Sequence, residues 1–163
     1  MGIVKKIGKV KLAISIILLI GVIIYGVMLY DAYNKISVGE VRVVDLHPTS
    51  LDLRTWEIKF RIYINNTADV SIEVTRITYK VYINGTYIGE GEKTSLIIEA
   101  HTNKYYQFSL EFDAVKLGIT TLLSGKGTKE VKVKGKITIP LKPFNLFTLQ
   151  QISFDYEKVT YYQ

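Results

Sequence analysis

Hydrophobic and polar residues follow two different periods along this chain. From Leu12 to Tyr30 there is no charged residue at all, and Ile, Leu and Val dominate every face of any helix drawn through the run. As an α-helix this run spans about 28 Å, close to the hydrocarbon thickness of a bilayer. A helix apolar on all sides has no place inside a domain this small, so the pattern predicts a transmembrane helix over 12–33.

After Gly39 the period becomes two. Ile58, Phe60, Ile62 and Ile64 alternate with Glu57, Lys59, Arg61 and Tyr63, which predicts a strand with one buried face. Lys129 to Ile139 repeats the pattern, with Val131, Val133, Ile137 and Ile139 inward. Ile77, Tyr79, Val81 and Ile83 run into Asn84-Gly85, and the apolar pattern resumes at Tyr87-Ile88. Asn-Gly between two such runs predicts a hairpin, because both residues tolerate positive φ. Ile72 and Val74 have the opposite parity, which places a bulge or short break near Thr75-Arg76. Tyr106, Phe108, Leu110 and Phe112 give a further strand. Asp113 then reads as the N-cap of a helix from Ala114 to Leu123, ended by Gly125 and Gly127. Leu149, Ile152, Phe154, Tyr156 and Val159 predict one last strand. The fold expected is mostly β, an antiparallel sandwich of about seven strands with one inserted helix, preceded by one transmembrane helix.

Charge changes the picture only once it is located. Of the 21 Lys and Arg, Lys5, Lys6, Lys9 and Lys11 precede the apolar run, which leaves 17 against 15 Asp and Glu. The rest of the chain is therefore nearly neutral, a poor footprint for nucleic acid. The same lysines orient the helix: residues 1–11 form a basic cytoplasmic segment, and Asp31 follows on the other side, so 39–163 lies outside the cytoplasm. Tyr25, Tyr30 and Tyr33 fall toward the outer interface. Two other readings compete with this signal anchor. A cleaved secretory signal conflicts with the length of the apolar run and the lack of an A-x-A-like site. A pilin-type leader cut near Gly8 would put Lys9 and Lys11 at the head of a helix that must pack in an apolar bundle. There is no cysteine, so disulfides, thiolate metal sites and cysteine nucleophiles are excluded.

Three segments resemble the LEA type 2 family, the group-2 late-embryogenesis-abundant domains. The first is Tyr63-Ile64-Asn65-Asn66-Thr67, where the family has an Asn-Pro-Asn turn. This chain departs from that turn, with Asn66 at the proline position and Thr67 at the second asparagine. The second is the tyrosine-rich Ile77-Thr78-Tyr79-Lys80-Val81-Tyr82-Ile83-Asn84-Gly85-Thr86-Tyr87-Ile88-Gly89-Glu90-Gly91, and the third is Val131-Lys132-Val133-Lys134-Gly135. The resemblance implies a β-sandwich with one helix, no catalytic residues, and links to stress tolerance, membrane association and lipid handling.

Candidate chemistry is sparse. His47 and His101 sit beside Pro48 and Thr102 in loop-like stretches with no third ligand in sequence, so they read as exposed loop histidines and no metal is expected. Ser124-Gly125-Lys126-Gly127 lacks the spacing of a phosphate loop, and there is no G-x-S-x-G elbow. Lys129, Lys132, Lys134 and Lys136 read as a solvent-facing ladder, a candidate patch for anionic lipid. Asn65 and Asn84 each open a glycosylation sequon in an expected turn. The function expected is non-enzymatic: a membrane-anchored sandwich acting in stress protection or in binding lipid or another apolar ligand at the cell envelope, without cofactors. Its partners would be membrane lipid and, in a competing reading, other envelope proteins or further copies of itself, with the apolar helix as the assembly element of a filament or membrane complex. An extracytoplasmic hydrolase would need a nucleophile, metal or acid pair that the sequence does not supply.

Overall fold

The computed structural model of the chain describes residues 2–141 and 150–163. One long helix, α1 (Gly2–Asn34), is followed by seven strands and a single helical turn. The strands are β1 (Ile36–Pro48), β2 (Thr55–Asn66), β3 (Ile72–Ile83), β4 (Thr86–Ile98), β5 (Thr102–Asp113), β6 (Lys129–Leu141) and β7 (Gln150–Tyr162), and α2 (Thr120–Ser124) lies between β5 and β6. They form two antiparallel sheets, β1-β2-β5 and β4-β3-β6-β7. Neighbouring hairpins stay within a sheet, and the chain changes sheet after β2, β4 and β5.

The alternation carried by each strand decides which face is packed. Ile58, Phe60, Ile62 and Ile64 on β2 are fully buried against Ile77, Val81, Ile83, Val131, Val133 and Ile137 of the facing sheet. At roughly 1.5–3 kcal/mol for each large aliphatic or aromatic side chain removed from water, these inner faces are the main source of stability. The parity change expected near Thr75 is present. Ile72 and Val74 are buried, and so are Ile77 and Tyr79, while the pairs Val74↔Leu96 and Arg76↔Thr94 bracket a step in which Thr75 and Ser95 drop out of the ladder. Ser95 takes φ 56° there. The residue expected to open the domain, Gly39, lies inside β1, which is already under way at Ile36.

The Asn84-Gly85 turn has positive φ at both residues, 45° and 79°. The Asn84 side-chain oxygen also accepts the Glu130 N–H at 2.7 Å, tying the hairpin to the start of β6. Gly85→Val should destabilise the domain by about 1 to 3 kcal/mol, since a β-branched residue resists this backbone region. Thermal unfolding of the full chain in detergent micelles checks this, and an unchanged midpoint would contradict it.

Three expectations are corrected. The helix from Ala114 to Leu123 is reduced to α2, because Gly118 takes φ 68° and breaks the run. Asp113 still caps, accepting the Lys116 N–H at 2.8 Å, but what it caps is an isolated turn. Val159 faces solvent, because the inward parity of β7 runs through Phe154, Tyr156 and Tyr162. Leu149, expected in the same strand, lies outside the described residues.

Candidate functional site

Helix α1 meets the sandwich without a linker. Lys35 alone separates it from β1. Ala32 is buried in the sandwich core, and the Tyr33 ring meets Phe154 of β7 edge-on at 5.7 Å. The Lys35 carbonyl accepts the Thr67 N–H and hydroxyl, both at 3.2 Å, while its ammonium pairs with Asp31 at 2.7 Å. That pairing raises the Lys35 pKa above its ordinary value. Tyr33, expected near an interface, is a packing residue of this joint. The span Lys11–Asn34 is long and apolar enough to cross a membrane, and its side chains from Leu12 to Met28 are largely exposed.

The same end of the sandwich contains a polar residue that the sequence marks only as a departure from the family's turn. Asn66, 1% exposed, donates its amide to the carbonyls of Val70 (3.0 Å), Ile98 (3.2 Å) and Glu99 (2.9 Å). Its oxygen accepts the Ala68 N–H at 3.0 Å. One side chain thus joins the β2–β3 crossing to the β4–β5 crossing, and at Ile98 it satisfies a fully buried carbonyl. Asn66→Ala should lower stability by about 2 to 3 kcal/mol. Asn66→Asp should not restore it, because a carboxylate offers no donor to three carbonyls; denaturant titration of both variants distinguishes the two causes.

The lysines separate into two groups. Lys129 is not on the solvent face: it shares the parity of Val131 and Val133, is 8% exposed, and donates to the carbonyls of Gly125 (3.0 Å) and Gly127 (3.4 Å). It closes the loop after α2 and is absent from the candidate patch for a geometric reason. Lys132, Lys134 and Lys136 do lie on the outer face of β6. Lys132 pairs with Glu157 at 3.4 Å and Lys136 with Asp155 at 3.8 Å, while Lys134 stands over the Tyr82 ring at 4.8 Å. On β3, Lys80 is matched by Glu90 at 3.3 Å, which raises its pKa. The face is striped with both signs.

The histidines occupy different settings. His47 is half-buried in β1, with Nδ1 2.9 Å from Asp45 and Nε2 3.7 Å from Glu57. It is a strand residue, not the exposed loop residue expected. His101 is exposed on the β4–β5 turn at φ 51°, 3.0 Å from Asp69. Among the described residues no three His, Asp or Glu converge as metal ligands would. Of the sequon residues, Asn84 is exposed on its turn and Asn65 is half-buried at the end of β2.

Among the described residues the inner faces are lined by fully buried side chains, and two open grooves lie on the surface. A groove of about 260 Å³ runs along the corner between β1 and β7, lined by Ile36, Ser37, Val38 and the 154–158 stretch. A wider one of about 610 Å³ lies over Thr78, Lys80, Lys134 and Lys136.

The sequence signature of the late embryogenesis abundant proteins matches residues 61–161, most of the sandwich. The chain belongs to this family. The LEA type 2 domain is a non-enzymatic, stress-related β domain, and the strands carrying the resemblance are β2, β3, β4 and β6. The Asn66 knot occupies the turn where this chain departs from the family's Asn-Pro-Asn. No curated protein matches the chain at a significant level. Among solved structures it is similar to a crystal structure of a protein from Archaeoglobus fulgidus, at 18% identity over 78% of this chain and 98% of that one, with a TM-score of 0.46. A solution structure from Arabidopsis thaliana is similar at 18% identity over 75% of this chain and 78% of the other, with a TM-score of 0.46.

Proposed function

We propose that this LEA type 2 domain is held at the outer surface of the cell membrane by α1 and acts there by binding the apolar part of lipids, protecting the envelope under stress. The observation that supports this most is the joint: an exposed apolar helix of membrane-spanning length runs into the sandwich through Lys35 alone. A domain so placed meets lipid before any other ligand. The striped face of Lys132, Lys134 and Lys136 would add an attraction to anionic head groups, weakened by Asp155 and Glu157 and screened by salt.

Protease added to intact cells should remove the sandwich and leave a membrane stub, and the detergent-extracted full chain should carry lipid detectable by mass spectrometry. Full protection of the domain until lysis would refute the topology. A folded chain free of lipid would refute the binding, leaving α1 as an assembly element of a membrane complex.

A further inference from the structure

The two open corners of the sandwich are built differently. Where β4 meets β5, three side chains fasten one sheet to the other. The Tyr79 hydroxyl donates to the Ser109 carbonyl at 2.8 Å, Lys93 to the Gln107 carbonyl at 3.2 Å, and the Tyr106 hydroxyl to the Ile97 carbonyl at 3.5 Å. A short turn joins the same two strands covalently, and Asn66 is bonded to the carbonyls at its start. Where β1 meets β7, no hydrogen bond or ion pair joins the strands among the described residues. They are the first and last strands of the sandwich, with no connection between them. On this side half-buried Val38 and Val43 of β1 and Phe154 and Tyr162 of β7 pack against the core. The groove of about 260 Å³ already marks it.

We infer that the β1–β7 corner is the seam at which the two sheets part, and that it takes up a lipid acyl chain. The inference rests on the lipid-binding reading proposed above and names the place. The occupant follows from continuity: the lower end of the groove, at Ile36 and Phe154, is where Tyr33 of the apolar helix packs. An acyl chain leaving the bilayer along α1 would reach this corner first. Parting the sheets here breaks no hydrogen bond among the described residues, whereas parting them at β4–β5 breaks those three and the Asn66 bond to Ile98 besides. The exposed inner faces are Ile, Val and Phe, which bury methylenes at roughly 0.8 kcal/mol each.

Trp56, the single tryptophan, sits at the far end of β2 and gives a clean fluorescence background once replaced. In Trp56→Phe full chain reconstituted in vesicles, Val43→Trp places a reporter at the seam and Leu110→Trp one at the opposite corner. Thr160→Trp, on β7, serves as a second seam reporter if Val43→Trp does not fold. Lipids brominated on the acyl chain should quench the seam reporter several-fold more than the Leu110 reporter. Equal quenching at both corners, or quenching only at Leu110→Trp, overturns the seam while leaving lipid binding intact, provided lipid still copurifies. Absence of both quenching and copurified lipid overturns the binding reading and the seam with it.

Discussion

Phe60→Ala should cost the sandwich about 3 to 5 kcal/mol, the range for removing a buried aromatic ring from a packed core. Phe60 is fully buried at the centre of a three-ring cluster. It meets Tyr79 edge-on at 5.3 Å and stacks on Phe108 at 5.6 Å, and Tyr79 and Phe108 meet at 5.4 Å. Because Tyr79 belongs to the other sheet, the ring ties the two layers together, and its loss leaves a cavity beside Tyr79 and Phe108, which keep only each other. Lys59, next along β2, points outward and pairs with Glu57 at 3.1 Å. Lys59→Ala should therefore change stability by no more than about 0.5 kcal/mol. Denaturant unfolding of both variants in the same micelles gives the comparison, and equal sensitivity would mean that both faces of β2 are buried.

Gly135→Ala should be of similar severity, about 3 kcal/mol or more, for the opposite reason. A Cβ at Gly135 would overlap the backbone carbonyl of Thr78 on the neighbouring strand and press on the Tyr156 hydroxyl. Backbone cannot swing aside as a flexible side chain can. The Tyr156 ring reaches past the glycine, and its hydroxyl donates to that same Thr78 carbonyl at 3.0 Å. The expected readout is a large fall in unfolding midpoint or failure to accumulate folded protein, and near-native stability would show that the β3–β6 spacing is wrong. Alkali gives a second test of the same contact. Burial pushes the Tyr156 phenol well above its ordinary pKa. Its contribution is thus fully present below about pH 10, the unfolded value, and is lost as pH rises through the raised folded value. Tyr156→Phe should flatten that alkaline loss.

Two other glycines repeat the arrangement: a Cβ at Gly39 would meet the Tyr63 ring, and one at Gly91 the Tyr79 hydroxyl. Part of the chain's wealth of tyrosine is explained this way, with rings covering strand glycines from the neighbouring strand. None of these pairings is legible in the sequence, because the partners are set by register between strands far apart in the chain. What could be read were features encoded within one strand or one turn. The strict alternation of β2 and β6 gave their buried faces, and Asn84-Gly85 gave its hairpin. A feature that depends on something outside its own segment leaves no such mark. Lys129 is out of step with Lys132, Lys134 and Lys136 and in step with Val131 and Val133, so its inward place is written in the alternation; what the sequence does not show is that the Gly125 and Gly127 carbonyls of the folded loop satisfy a buried ammonium there. Asp113 and the residues after it looked like ten residues of helix because the left-handed turn at Gly118 left no mark beyond a glycine near the middle. Asn66 looked like a weakened family motif, although its amide binds carbonyls 32 and 33 residues away.

The joint at Lys35 has a mechanical consequence. A single residue gives no slack, and the buried Ala32 and the Tyr33–Phe154 contact remove the freedom that remains. If α1 spans the bilayer, any change in its inclination is handed to the sandwich as a lean of the whole body. A helix too long for its surroundings tilts to hide its apolar length. Thinning of the bilayer would then lower one flank of the sandwich toward the head groups and lift the other, so the domain would register membrane thickness as posture.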